Sequence, residues 1–496
     1  MVTTYRFLLI LSAVVQICPL WVAAYPTLVD MPNHLARVSI LMHHGRPGYP
    51  LSGYFSVDYA PVPNLGLDAL LMLFMPVLSP VVTMKAASSV AICLWIYGCH
   101  RLSRVLLGGP VWMVVPASLL TYNGMFQYGF INFSFSIGIY LLVFSAWLRM
   151  RGKWTAGRLV WMSLLAVLTY LCHLGAVMLL LASMGWVALL DWWKIRRTGG
   201  FALDMLPAVP VLAAYATLRW LVAFGEDQGL IEWEQPRAVV LKLFSPLIGY
   251  TISWTIAAVV LAATGLTSAL WAARARWQWP QASLGFIFLT LFLVIPGYIH
   301  DSGDVNTRFL LPAYVVLMLC LRLPGLADPF PKLAIAGLGL LIAGQLVHVG
   351  DVTRHWITMS DEIEKQVTLL KRVDPGSRIY PIAWMPPGTE ESKRYRHWIH
   401  MVHYATVFRD TYIPTVFSVP GSHMLRKKPG SLYYRSIDPA TPVTKPPWDT
   451  ILGEYDYVFG CGLSAEYRSL LGSRAHLAGE AGACALYQTG RLAAAR

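Results

Sequence analysis

The sequence predicts an α-helical polytopic membrane protein of about eleven transmembrane helices, with juxtamembrane helices in its first external loop and a small α/β domain after the last span. Three observations carry this. Hydrophobic residues make up 56% of the 496-residue chain and charged residues 13%, with a mean hydropathy of +0.53. A soluble protein averages about 25% charged, so a water-soluble globule, a disordered chain and a small disulfide scaffold are excluded. Second, basic clusters recur between apolar runs. Third, charge density changes along the chain: residues 1–350 carry 21 Lys+Arg and 12 Asp+Glu, whereas 351–496 carry 18 and 14 and lack any span-length apolar run. The chain therefore reads as a membrane domain, 1–350, followed by an extracytoplasmic α/β domain, 351–496. The net charge of +13 is first a topology signal.

Candidate spans fall at about 7–24, 84–100, 111–122, 131–148, 158–171, 174–193, 205–222, 249–272, 281–298, 309–322 and 331–349. Arg101/Arg104, Arg149/Arg151/Lys153/Arg158, Lys194/Arg196/Arg197, Arg274/Arg276 and Arg322/Lys332 mark the cytoplasmic side, together with Arg6. The intervening acids Glu226, Asp227, Glu232, Glu234, Asp301 and Asp304 face outward. Segment 65–80 is apolar enough to span, but crossing would put every later basic cluster outside. It is therefore expected to lie as a juxtamembrane or re-entrant helix, making 25–83 one long external loop of the kind that carries function. The N-terminus resembles a signal peptide ending at Val22-Ala23-Ala24, but the length of the run favours an uncleaved first span. This parity places the C-terminal domain outside a cytoplasmic (inner) membrane.

The first external loop opens with Asp30-Met31-Pro32-Asn33-His34-Leu35-Ala36-Arg37. Asp30 can cap the helix that Pro32 begins, or serve as a general base at the membrane surface, with Asn33, His34 and Arg37 one turn on.

This stretch resembles the D-x-P-x-H opening of bacterial GT-C glycosyltransferases, a superfamily that includes protein O-mannosyltransferases and lipid A aminoarabinose transferases. Segment 65–80 is similar to their second juxtamembrane helix, and the resemblance covers about 1–350. It implies transfer of a sugar from a polyprenyl-phosphate donor to a glycan, lipid or protein acceptor, with inversion, and places Asp30 at the family's base. Positive charge must then meet the lipid phosphate. Lys85 can bind it or snorkel to headgroups. Arg308 stands before Phe309-Leu310-Leu311-Pro312, similar to the R-[YF]-x-x-P start of a late GT-C span; it can fork onto phosphate or pair with Asp301 or Asp304. A possible divalent cation could use Asp301 and Asp304, the only cofactor contemplated.

Asn123 and Gln127, in a stretch rich in amides and aromatics, suit sugar hydroxyls or an interfacial belt. GT-C relatives carry a second acid hereabouts and this chain has none between Tyr122 and Asn132, which leaves Asp58 or Asp68 as substitutes. His173, at an external turn, is either a buried structural histidine or a substrate-binding one. In the C-terminal domain a helix is expected over 356–372 and strands over 378–384, 414–419, 455–460 and 483–488. His397, His400 and His403 cannot share one helix face, so packing is expected rather than metal. Cys461 and Cys484 are expected to pair in an oxidising compartment. Nucleic acid is not an expected partner. The rival functions are a transporter or flippase of a lipid-linked saccharide, disfavoured by the lack of internal repeats, and an O-antigen ligase or polymerase, disfavoured by the short late loop 299–308.

Overall fold

A computed structural model describes residues 2–108, 112–195, 198–222, 231–272, 276–299, 302–322, 332–383, 398–437 and 442–490. Helix α1 (Val2–Val22) leads through an extended link into α2 (Met31–His43), whose first ten residues are all buried. A short strand, β1 (Phe55–Val57), and α3 (Leu65–Phe74) complete the first loop before α4 (Pro80–Leu107). Helix α3 has only ten residues, about 15 Å of rise, against a hydrocarbon core of about 30 Å, so segment 65–80 does not form a continuous crossing helix. Pro80 opens α4 and Gly108, at φ 76°, closes it.

The expected span at 111–122 is not one helix. It consists of α5 (Val114–Ser118) and a 3-10 turn, Leu119–Tyr122, followed by α6 (Gly124–Gln127). Ser118 bonds Ser12 at 2.8 Å and the Tyr122 hydroxyl donates to the Gln16 carbonyl at 2.6 Å, so the stretch runs parallel to α1 as a broken crossing. Broken backbone survives at membrane depth only when protein satisfies it. Here Gln345 donates to the Pro116 carbonyl, and His348 meets the Tyr122 carbonyl.

The remaining helices up to residue 370 are α7 (Ile131–Met150), α8 (Ala156–Cys172), α9 (Leu174–Ile195), α10 (Thr198–Met205), α11 (Val209–Leu221), α12 (Pro236–Lys242), α13 (Ile252–Ala272), α14 (Gln281–Val294), α15 (Thr307–Leu319) and α16 (Lys332–Leu370). Among the described residues, seven helices are long and apolar enough to cross a membrane, and α3, α8, α14 and α15 are shorter apolar helices. Two small ladders tie the loops at either end. Strand β2 (Ile231–Glu232) pairs with β4 (Tyr298–Ile299), and β3 (Arg276–Trp277) pairs with β5 (Leu321–Arg322). Each joins two stretches that the charge pattern assigns to the same side.

Helix α16 runs unbroken for 39 residues through position 350, about 58 Å of rise. It carries the chain out of the bundle into a four-stranded sheet of order β6-β8-β10-β9: β6 (Ile379–Ala383), β8 (Tyr457–Cys461), β9 (His476–Ala481) and β10 (Cys484–Gln488). β6 is parallel to β8 and the other neighbours are antiparallel. Cys461 and Cys484 stand opposite each other on β8 and β10 and form a disulfide. β9 was not expected from the sequence. The expected strand at 414–419 is instead a loop, because a buried side chain of α2, described below, satisfies part of its backbone. Strand β7 (Leu425–Lys427) leaves this part of the chain to pair with β1 of the first external loop.

Candidate active site

Asp30 sits at the N-cap position of α2, yet its carboxylate makes no capping bond. Pro32 in the first turn lowers the need for one, since proline brings no N–H to satisfy. The Asp30 backbone is tied instead: its N–H donates to the Tyr128 carbonyl at 3.1 Å, and its carbonyl accepts from His34 at 3.0 Å. The capping reading of Asp30 is therefore not realised. Gly129, at φ +88°, passes so close that a β-carbon there would lie 2.6 Å from the Asp30 nitrogen, which is why this crossing needs glycine. Burial pushes the Asp30 carboxyl up from 3.8 to about 7, against the opposing pull of Arg37.

The residues one turn on divide the work. Arg37 is fully buried and forks onto Asp68 of α3, with Nε to Oδ2 at 3.1 Å and Nη2 to Oδ1 at 2.5 Å. Arg37 also meets His34 Nδ1 at 3.1 Å and lies over the Phe417 ring. Arg37 and Asp68 are thus paired with each other, while Arg37 Nη1 is buried with no acceptor among the described residues. The half-exposed carboxylate of Asp58 pairs with Arg426 at 2.8 Å. His34 is buried edge-on against Phe417, and burial holds it neutral, far below its usual range. Asn33 is fully buried and reaches the C-terminal part of the chain: Phe417 N–H donates to its Oδ1 at 2.8 Å, and its Nδ2 donates to the Thr415 carbonyl at 2.9 Å and to His400 Nδ1 at 3.1 Å. His400 Nε2 lies 3.4 Å from Asp30 Oδ1. Sequence reasoning saw His400 only as part of a histidine triplet; no local signal connects it with Asp30. His397 lies outside the described residues. His403 Nδ1–H donates to the His400 carbonyl at 3.0 Å, and its Nε2 accepts from the Thr415 hydroxyl at 3.1 Å.

On the other flank of the Tyr128–Ile131 backbone stands Arg308. Its guanidinium lies over the rings of Phe130 and Phe133, and Nη2 donates to Ser302 Oγ at 2.9 Å and the Gly303 carbonyl at 3.2 Å. Its Nε is buried with no hydrogen-bond acceptor among the described residues. His173 caps the start of α9, accepting from Gly175 N–H at 2.9 Å, and packs edge-on against Phe133. Burial and the nearby Arg308 charge keep it neutral. Arg308 and His173 are thus brought together. Lys85 is buried and donates to the Ala23 carbonyl at 2.6 Å, just before the loop that holds Asp30.

Asn123 is consumed locally: its Oδ1 caps α6 by accepting from Met125 and Phe126, and its Nδ2 donates to Leu120 and Thr121 carbonyls. Gln127 donates to the Tyr122 and Ile248 carbonyls and keeps its Oε1 buried without a donor among the described residues. Asp304 is held by Lys242 at 2.5 Å, alongside the Lys242–Glu234 pair, so its carboxylate is not a free cation ligand. Asp301 lies outside the described residues. Among the described residues no group of three or more His, Cys, Asp or Glu side chains is placed to hold a metal ion.

No family model matches the chain, and no curated protein matches it by sequence. Among solved structures it is similar to ArnT from Cupriavidus metallidurans, whose crystal structure is bound to undecaprenyl phosphate: 11% identity, TM-score 0.51, 98% of each chain covered. The chain therefore shares the fold of ArnT, including the part beyond residue 350.

Proposed function

We propose that this protein is an inverting membrane glycosyltransferase, which takes a sugar from a polyprenyl-phosphate donor and passes it to an envelope glycan, lipid or protein acceptor. The observation that carries this is a buried carboxylate, Asp30, that neither caps its helix nor pairs with Arg37. The GT-C fold, and the undecaprenyl phosphate bound to ArnT, supply the class of donor. In this reading the acceptor hydroxyl gives its proton to Asp30, and its oxygen attacks the anomeric carbon from the face opposite the phosphate. The bond from that carbon to the phosphate oxygen breaks, and the lipid phosphate departs with the electron pair. Arg308 stabilises the phosphate as it leaves; its unused Nε–H is a donor available once the lipid arrives. Lys85, His34, His173 and Gln127 are the further candidates for contacts with donor or acceptor. The site faces outward from the inner membrane, with 1–350 as the membrane domain and 351–496 as an extracytoplasmic one.

Asp30→Asn is the direct test. It keeps size and burial but removes the base, so transfer should fall by at least about a hundredfold with membrane insertion unchanged. Wild-type turnover in that variant rejects Asp30 as the base.

A further inference from the structure

The proposed base has a partner that comes from the far end of the chain. The backbone N–H of Phe417 can only donate, so the amide oxygen of Asn33 must face it at 2.8 Å. That leaves the Asn33 NH2 group toward the Thr415 carbonyl and His400 Nδ1. Nδ1 of His400 is then an acceptor, and its ring proton must sit on Nε2. Nε2 is the atom 3.4 Å from Asp30 Oδ1, and the two side chains are only 14% and 10% exposed. The ring is further fixed edge-on against Phe417 and tilted against His403. Both of its nitrogens face protein groups, so His400 has no free nitrogen to take a proton from a substrate.

We propose that His400 is the positioning residue of the base: its Nε2 lies 3.4 Å from Asp30 Oδ1, a long electrostatic contact here that tightens onto the carboxylate when substrate is bound, orients it and favours its ionised form. This rests on Asp30 being the base. Burial and the neighbouring His403 keep His400 neutral, far below its usual range, so it acts as a dipole rather than as a cation. Among the described residues, the other charged or titratable groups around this pair are Arg37 and His34 on α2 and His403 and His423 on the C-terminal part. The Tyr128–Ile131 stretch meets Asp30 through its backbone.

The test is the pH dependence of transfer in the full-length, detergent-purified protein, with a synthetic polyprenyl-phosphate sugar as donor. Removing a donor to the charged form raises the carboxyl pKa. His400→Ala should therefore move the acidic limb up by about one pH unit and lower kcat about tenfold at pH 7, with KM for the donor within about twofold. His400→Gln, whose amide can still donate, should bring the limb back toward wild type. A His400→Ala limb that overlays wild type, or a folded His400→Gln no better than alanine, overturns the proposal. Should His400→Ala fail to fold, the glutamine variant alone decides: it predicts a limb within about half a unit of wild type, and a larger shift overturns the role. Asp30→Asn run alongside separates the two levels. If it stays active, the base assignment itself fails; if it is dead while His400→Ala is unshifted, only the positioning role fails.

Discussion

Asp30 shows how a residue's chemistry can be set by what it does not touch. A carboxylate in this sequence setting ordinarily caps its helix, and a capped carboxylate is spent. Here Pro32 begins the helix, Arg37 turns away to Asp68, and the freed carboxyl is buried until it titrates near 7. Two opposite pH trends follow. A base must be ionised, so transfer should rise with pH and reach half its plateau near 7 in a pH–rate profile. Stability runs the other way: the folded protein prefers the protonated acid, so this group's contribution is complete below the unfolded value of 3.8 and is lost as pH rises through about 7. Arg308→Ala should weaken binding of a polyprenyl phosphate at least about tenfold, measured by lipid titration, and leave acceptor affinity nearly unchanged; equal losses would mark it as structural. Asp30, Asn33, His34 and Arg37 could be picked out from one short motif, and so could Arg308. Which of them remained available could not, because the partners that occupy Arg37, Asp58 and Asp304 lie 31 to several hundred positions away in the chain.

At the level of elements, the length of the apolar runs located the long helices. The broken crossing 114–127 defeated the same reasoning, because a hydropathy run reports that a segment is buried, not that its backbone is regular. The same limit hid the continuity of α16, where a change of composition looked like a boundary although the helix runs on through it. This helix is anchored against α13 by glycines. A β-carbon at Gly337 would lie 2.6 Å from the Ala269 nitrogen and 2.7 Å from the Gly265 carbonyl, and one at Gly344 would lie 2.6 Å from the Ala258 carbonyl. Close backbone approach of this kind is how apolar helices attract each other in lipid. Gly337→Val should therefore push the pair apart and cost about 1–3 kcal/mol, read as a lower unfolding temperature in detergent. Gly339, which has open space around it, should accept alanine with little change.

For the whole molecule, the C-terminal part is stitched to the first external loop rather than hung below it. β7 pairs with β1, Arg426 pairs with Asp58, Asn64 donates to the Ser422 carbonyl, and Asn33 clasps Thr415 and Phe417. Composition alone could separate the two parts but could not show that they share a site. Sidedness has its own check. With the proposed orientation, Ser473→Cys in intact spheroplasts should react with a membrane-impermeant maleimide and Arg158→Cys should not; both positions are exposed. The reverse pattern would invert the topology. The clasp on Asn33 also bears on how the protein is made. Its two ends are 384 residues apart in sequence, so the ribosome has nearly finished before Phe417 exists to meet Asn33. A chain truncated before Thr415 can display the whole Asp30 motif, yet its Asn33 has neither the Phe417 N–H nor the Thr415 carbonyl to clasp.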